Sequence, residues 1–203
     1  MIELKEGEIL VLRTSGADGK SYNDFQWPRS GAVEAPDWDG KAECGGGLHG
    51  LPRGCGNGDY LDWSEAATAQ LVRVDTRADY LEFKGKCKFR GGEVVYFGTL
   101  REAIEILCQH YPDAPTVGRT ASAGDHGTAS AGYRGTANAG DEGTASAGDG
   151  GTASAGDEGT LVIKYWDGDR YRLAVGYVGE DGIKPNTPYR VENGRLVEVK
   201  AGG

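Results

Sequence analysis

The sequence lacks an apolar run that approaches the roughly 20 residues of a membrane-spanning helix. Its first residues, Met-Ile-Glu-Leu-Lys-Glu, also lack the basic and then apolar pattern of a signal peptide. Cysteine is scarce, at four residues, and without an export signal these four predict reduced thiols rather than a disulfide framework. We therefore expect a protein that enters no membrane and lies in the cytoplasm.

Basic residues are in deficit, since 22 lysines and arginines stand against 31 aspartates and glutamates, for a net charge of -9. Proteins that bind nucleic acids usually carry a surplus of Lys and Arg, because these residues replace the counterions of the phosphates. We therefore expect no direct binding of nucleic acid. Glycine is abundant instead, at 35 of the 203 residues.

Changes of composition divide the chain into three parts. Residues 1–119 have an ordinary globular composition, 120–159 consist almost entirely of Thr, Ala, Ser, Gly and Asp, and 160–203 return to alternating apolar and charged residues. We predict an α+β head domain over 1–119, a repeat domain over 120–159 and an antiparallel β cap over 160–203.

Five octads without a gap make up the middle part. From Thr120 they are TASAGDHG, TASAGYRG, TANAGDEG, TASAGDGG and TASAGDEG. A flexible linker needs no register, yet the Thr, both Ala and both Gly are the same in every octad. Each octad divides into a strand-like Thr-Ala-Ser-Ala and a turn Gly-Asp-x-Gly, whose glycines we expect to take positive φ. The octads therefore predict a folded repeat.

The alternation of side chains indicates how the octads fold. Both alanines point to one face and Thr and Ser to the other, so two alanine faces must lie close together. Two octads, sixteen residues, can form one strand–turn–strand–turn coil, and five octads give about two and a half coils with ~4.8 Å between rungs. We predict a short β-solenoid of this kind. The alternative is an up-and-down antiparallel meander with the same period.

The segments beside the octads carry signals of their own. Thr99-Leu-Arg-Glu102 is a capping box that begins a helix of about 99–111, and Tyr-Pro at 111–112 ends it. Downstream, Thr160–Trp166 has the pattern of a strand, and Asn193-Gly194 marks a β-hairpin. These strands are suited to cover the last rung of the repeat, which would otherwise expose unpaired backbone groups.

The head domain has a mixed pattern. Residues 14–68 are rich in Gly, Pro and Trp and predict a long irregular stretch, which should be functional or folded over a sheet because it is too long for an ordinary connection. The strands predicted around it are Glu8–Arg13, Ala69–Asp75, Tyr80–Phe83, Lys86–Phe89 and Val94–Phe97.

Written as Ala-Gly-[Asp/Tyr]-x-Gly-Thr-Ala-Ser, the octad resembles the octapeptide of bacterial ice nucleation proteins, which is Ala-Gly-Tyr-Gly-Ser-Thr followed by x-Thr. The resemblance covers 40 residues. It departs from that family in three respects: there are five octads rather than many, the second Thr is Ser or Asn138, and the Tyr occurs once, at Tyr133. A patch of about two rungs is a small template for an ice lattice.

A second resemblance concerns the head and the carboxy-terminal part. Lys20-Ser-Tyr-x-x-Phe25-x-Trp-Pro28 and Cys44-Gly-Gly-Gly-Leu-His-Gly50 resemble the amino-terminal domain of a family of bacteria and their phages, in which such repeats often follow. The family's tail is similar to Tyr165-Trp-Asp-Gly168 and to residues 175–182. The resemblance implies this architecture and a phage or prophage setting, and it implies no chemistry.

Three residues of the head are candidate site residues, namely Cys44, His49 and Cys55. Cys and His bind zinc, although the spacing Cys44-x4-His49-x5-Cys55 matches no common finger or ribbon. Cys44 and His49 are alternatively a nucleophile and its base, although no motif supplies an oxyanion hole. As a third alternative, Gly-Leu-His-Gly resembles the His-containing strand of an ADP-ribosyltransferase, in which His49 would hold the ribose of NAD. Against all three stands a structural role in a Gly-rich turn.

The octads hold six acidic residues and one arginine. In a coil of two octads, Asp125, Asp141 and Asp157 stack on one edge, where unit charges ~4.8 Å apart repel by about 1 kcal/mol in water. These carboxylates accept hydrogen bonds from the turn backbone, or present an acidic edge to a basic partner in imitation of a phosphate row, or bind a cation. The predicted interaction surface consists of Thr120, Asp125, Thr128, Tyr133, Thr136, Asp141, Thr144, Asp149, Thr152 and Asp157.

We therefore predict a non-enzymatic protein-interaction module that needs no metal and no cofactor. Its acidic, Thr/Ser-rich surface would bind a protein partner that is basic or itself binds nucleic acid, or a second copy of the chain through the repeat. With the phage setting, this predicts a factor that inhibits a host protein in the cytoplasm of a bacterial or phage-infected cell. The alternatives are an enzyme with a site around Cys44 and His49, either ADP-ribosyltransferase-like or zinc-dependent, and an ice-binding or ice-nucleating protein.

Overall fold

The computed structural model describes residues 2–21 and 24–200. The chain divides into two compact units, one that ends at Ala114 and one that begins at Pro115. The described residues are predominantly β and contain one α-helix. No helix in this part of the chain is long and apolar enough to cross a membrane.

The first unit is built on an antiparallel sheet of seven strands. The strands are β1 (Glu8–Ser15), β2 (Gly31–Glu34), β3 (Leu48–Pro52), β4 (Thr68–Asp75), β5 (Tyr80–Phe83), β6 (Lys86–Phe89) and β7 (Gly91–Gly98). Their spatial order is β2-β7-β4-β1-β3-β6-β5, which places the strongly apolar β1 at the centre. Helix α1 (Leu100–His110) follows the last strand.

Helix α1 begins at the capping box. The Thr99 hydroxyl accepts a hydrogen bond from the Glu102 N–H at 3.3 Å, and the Glu102 carboxylate lies 2.8 Å from the same hydroxyl. The helix ends at His110, and the hydroxyl of the next residue, Tyr111, accepts a hydrogen bond from the N–H of Leu10 in β1 at 3.0 Å. The end of the helix is therefore tied to the centre of the sheet.

The stretch 14–68 is less irregular than its sequence predicts, since it contains β2, β3 and a 3-10 turn at Gly58–Tyr60. Both strands are short, and both contain glycine, so their alternation of apolar and polar residues is weak. The same stretch contributes Trp27, which is 1% exposed and belongs to the buried cluster that includes Phe89. It thus completes the core of the first unit.

The second unit contains the octads and the strands that follow them. Its strands are β8 (Thr120–Ser122), β9 (Thr128–Ser130), β10 (Thr136–Asn138), β11 (Thr144–Ala147), β12 (Thr152–Ser154), β13 (Thr160–Trp166), β14 (Tyr171–Tyr177), β15 (Tyr189–Glu192) and β16 (Arg195–Glu198). They form two sheets, with the orders β16-β15-β12-β10-β8 and β14-β13-β11-β9.

Strands of the octads pair with strands sixteen residues away. In one sheet Thr136 lies opposite both Thr120 and Thr152, and all three strands run parallel. In the other sheet Thr144 lies opposite Thr128 and Thr160, also in parallel. Successive octads thus alternate between the two sheets, whereas a meander would pair each octad with the next one in antiparallel fashion.

Alanine forms the core between these sheets. The two alanines of every octad point inward and belong to one buried cluster, in which Ala123 is the one that is partly buried. Thr and the third residue of the octad point outward on the same strands. The octads thus contribute only methyl side chains to this interior.

The invariant glycines of the turns do not take the positive φ that the sequence predicts. The residue with positive φ is the seventh of the octad, for example His126 at 56° and Glu142 at 54°. The glycines are required for space instead. A Cβ on Gly148 would lie 2.5 Å from the carbonyl carbon of Gly132, and one on Gly156 would lie 2.0 Å from the Asp141 carboxylate.

Antiparallel strands cover the carboxy-terminal rung of both sheets. Strand β14 pairs with β13 along its whole length, and β15 joins β12 where Ala153 lies opposite Tyr189. The Tyr189 side chain is buried in the alanine cluster, and its hydroxyl accepts a hydrogen bond from the Lys184 N–H at 2.9 Å. Larger side chains enter the cluster already at β13, where Leu161 lies opposite Ala145 and Ile163 opposite Ala147.

The glycine contacts predict that two glycines of the same turn, Gly148 and Gly150, tolerate substitution differently. We expect Gly148→Ala to lower the opening free energy of the octad region by about 3 kcal/mol, because its Cβ meets backbone of the adjacent turn. Gly150→Glu should cost about 1 kcal/mol, because position seven already holds Glu142 and Glu158 at positive φ. Amide hydrogen exchange of the octads measures both values. Equal losses would contradict this role of the glycines.

Candidate functional site

The outer faces of the octads carry rows of hydroxyl groups. Because identical residues pair between rungs, Thr120, Thr136 and Thr152 form one row. Thr128 and Thr144 begin the corresponding row on the other sheet, which Thr160 continues. Neighbouring rungs of a sheet lie about 4.8 Å apart, so each row is a regular ladder of threonines.

A second ladder runs beside each row of threonines, at the third position of the octad. On one sheet it consists of Ser122, Asn138 and Ser154, and the Ser154 hydroxyl donates to the Asn138 side-chain oxygen at 2.8 Å. On the other sheet the second ladder consists of Ser130 and Ser146. It has no hydroxyl group on the next strand, where Val162 lies opposite Ser146. The two ladders of a face are about 6.7 Å apart along the strand.

The acidic residues are part of the contact between rungs. The Asp125 carboxylate accepts a hydrogen bond from the Asp141 N–H at 3.1 Å, and the Asp141 carboxylate accepts one from the Asp157 N–H at 2.9 Å. Each bond uses one carboxylate oxygen, and the three aspartates are exposed. Backbone donors therefore offset the repulsion within a row of like charges, which we call the acidic row.

The turns stack in two separate columns, so the predicted surface residues do not all lie together. Asp125, Asp141 and Asp157 belong to one column, in which the His126 N–H donates to the Asp141 carbonyl at 2.8 Å. Tyr133 and Asp149 belong to the other, in which Gly148 follows Gly132. Among the described residues, no hydrogen bond reaches the Asp149 side chain.

The candidate residues of the head are only partly brought together. Cys44 and His49 line one cavity of the first unit, whereas Cys55 does not and its thiol lies 3.5 Å from the Arg53 carbonyl. Within residues 2–21 and 24–200, no group of three or more His, Cys, Asp and Glu could hold a metal ion. None of the four cysteines forms a disulfide. The same cavity is lined by Lys86, a residue of the short strand β6 that the sequence did not single out.

Comparison with curated proteins finds bacterial ice nucleation proteins. The ice nucleation protein InaA of Pantoea ananas is 33% identical over 113 residues, which is 54% of this chain and 8% of the relative. InaU of the same organism has the same identity over 11% of its length, and an ice nucleation protein of Enterobacter agglomerans over 9%. The chain therefore spans about a tenth of the length of the relatives it matches. No family model and no solved structure matches the chain.

These matches confirm that the repeat is of the ice-nucleation kind, and they extend beyond the 40 residues of the octads. They also correct the predicted location. The comparisons contradict the expectation of a cytoplasmic protein, because the relatives that share the repeat are ice nucleation proteins. The resemblance of the head to a phage-associated family stays a prediction.

The acidic row predicts different roles for two aspartates at the same octad position. We expect Asp141→Ala to lower the opening free energy of the octads by about 1 kcal/mol, because the Asp157 N–H loses its acceptor. Asp141→Asn keeps an acceptor oxygen and should cost less. Asp149→Ala should change stability by less than about 0.5 kcal/mol. Hydrogen exchange compares the three variants, and an equal loss for Asp141→Ala and Asp149→Ala would rule out the structural role.

Proposed function

We propose that the octads form a short two-sided β-solenoid whose rows of threonine and serine hydroxyls bind ice. The observation that carries the proposal is the register, in which Thr136 lies between Thr120 and Thr152 with no offset. The similarity to ice nucleation proteins, at 33% identity over 54% of the chain, supports it.

The spacing of the hydroxyl groups supports binding to an ordered layer of water. Each face is a rectangular array of about 4.8 Å between rungs and about 6.7 Å along the strand. Threonine is branched at Cβ, so it has few rotamers and its hydroxyl stays in place with little loss of entropy. A regular array of fixed donors and acceptors suits a lattice of water better than a mobile polar surface does.

The size of the array determines which effect on ice is expected. A face of three rungs extends about 10 Å in the stacking direction. A patch of this size covers few lattice points, so one molecule should adsorb to existing ice and slow its growth rather than nucleate it. Nucleation by this chain would require the arrays of many copies to combine.

The proposal predicts an effect on ice recrystallisation. We expect the full chain to slow the coarsening of ice crystals in frozen sucrose, and the double variant Thr136→Lys, Thr144→Lys to lose this effect. Each lysine places a long, hydrated side chain at the centre of one hydroxyl face. Glu142→Lys is the control, since it adds a lysine at an exposed turn position. An inactive parent, or a double variant as active as the parent, would refute ice binding.

A second candidate function is the binding of a basic protein partner through the acidic row, which one observation favours. Asp125, Asp141 and Asp157 align at a constant spacing, and each retains a carboxylate oxygen that the backbone does not use. The neighbouring side chains of Glu142 and Glu158 are acidic as well. Such a row attracts a series of cationic groups, and the attraction is screened beyond ~8 Å at physiological ionic strength.

This second candidate predicts a binding that depends on salt and on position. The triple variant Asp125→Asn, Asp141→Asn, Asp157→Asn should bind a lysine-rich peptide at least about tenfold more weakly than the parent at low salt. The control is Asp149→Asn, Asp169→Asn, Asp181→Asn, which changes the net charge equally outside the row. Fluorescence anisotropy at several salt concentrations measures both. Equal affinities of the two triple variants would show that the row has no partner function.

A further inference from the structure

A cavity of about 810 Å³ opens in the first unit. Its lining includes Arg13 from β1, the loop residue Cys44, His49 from β3, Tyr60 from the 3-10 turn and Lys86 from the start of β6. We call it the head cavity. Its volume lies within the range of sites for small organic ligands.

Two cations line the head cavity, and neither forms an ion pair with a carboxylate of the described residues. Lys86 is 7% exposed, and its ammonium group donates to the Cys44 thiol at 3.1 Å and lies 4.2 Å from the centre of the Tyr60 ring. The Arg13 guanidinium stacks 4.0 Å over the Trp27 ring, and its Nε is buried without a hydrogen-bond partner. Burial lowers the pKa of Arg13 to about 9, so the side chain is still charged at neutral pH.

Lys88, two residues along β6, shows how this protein otherwise neutralises a buried cation. Its ammonium group is fully buried, pairs with the Asp39 carboxylate and donates to the Lys41 carbonyl at 2.9 Å. Lys86 has no such carboxylate, and Asp37, which also lines the head cavity, is exposed and pairs with neither cation. A buried charge without a counterion is costly, so the head cavity is suited to an anion from outside.

His49 adds an acceptor to these donors. Burial above all, together with the charges of the nearby lysines, lowers the pKa of His49 to about 4, whereas a hydrogen bond to the Glu43 backbone acts in the opposite direction. The ring is therefore neutral at pH 7. Its Nε2 is buried without a partner, so the Glu43 bond engages Nδ1. A neutral ring that donates through Nδ1 carries a lone pair on Nε2, which can accept from a hydroxyl group.

The remaining walls are largely apolar. Phe25, Leu48 and Leu61 line the head cavity with Tyr60, a residue that is 42% exposed. An exposed aromatic ring at the mouth of a cavity offers a face for stacking with a planar group. The head cavity thus combines a place for an anion, an acceptor for a hydroxyl group and a surface for a ring.

We propose that the head cavity binds a small phosphate ester that carries a hydroxyl group and a planar ring, which is the chemical class of the nucleoside monophosphates. Arg13 and Lys86 would hold the phosphate, whose three terminal oxygens serve two separate cations better than the two oxygens of a carboxylate. His49 Nε2 would accept from a sugar hydroxyl, and the ring would pack against Tyr60. This binding site is independent of the proposed function of the octads.

Isothermal titration calorimetry of the full chain with AMP, adenosine and inorganic phosphate tests the proposal. We expect AMP to bind at least about tenfold more tightly than either fragment, because only AMP engages the cations and the apolar wall together. Absence of AMP binding, or an affinity for AMP equal to that for inorganic phosphate, would overturn the proposal.

Variants assign the roles of the individual residues. Lys86→Met should weaken AMP and phosphate alike by about tenfold, and should raise the melting temperature of the ligand-free protein because it removes a charge without a counterion. His49→Leu should weaken AMP but leave phosphate unchanged. Lys84→Met is the control, since Lys84 is an exposed lysine outside the lining. If Lys86→Met folds and binds AMP as tightly as the parent, the head cavity is not a phosphate site.

Discussion

The structure of the octad region depends on one steric constraint, the close approach of stacked turns at the invariant glycines. At Gly148 and Gly156 no Cβ fits against the turn of the neighbouring rung. Inside, the octads contribute only alanine to the buried cluster, and larger side chains such as Leu161 and Tyr189 enter it from the strands that follow. Where one octad stacks on another these contacts repeat, so the rungs keep one register and threonine lies opposite threonine.

The surface features of the octads follow from that register. Once the turns stack at a period of sixteen residues, the carboxylates of Asp125, Asp141 and Asp157 must lie in a row, whether or not a partner exists. Their bonds to the backbone stabilise the stack that aligns them. The hydroxyl rows arise in the same way, because the threonines of successive rungs lie directly opposite one another. The aspartates at the sixth position of the octad therefore serve the stacking of the turns, whereas the first and third positions carry the hydroxyl groups of the candidate function.

The charged groups of the first unit differ from those of the octads, which carry a row of carboxylates. In a chain of net charge -9, its buried charged groups are cations, and Lys88 is paired with Asp39 while Lys86 is not. The two lysines alternate with Cys87 and Phe89 on a strand of four residues that are all buried. Strand β6 reads Lys-Cys-Lys-Phe, and this alternation does not tell that both lysines are buried or which of them has a carboxylate within reach.

The sequence alone determined the octad period, its division into strand and turn and the start of helix α1, because these depend on contacts within a few residues or on exact repetition. It did not reveal strands β2 and β3, whose glycines weaken the pattern and whose pairing partners are distant in the chain. It also misplaced positive φ within the turn, because only the stacked neighbour shows that the glycines are needed for space. The meeting of Arg13, His49 and Lys86 was decided by the tertiary structure, since the order β1-β3-β6 brings together residues that no local pattern connects.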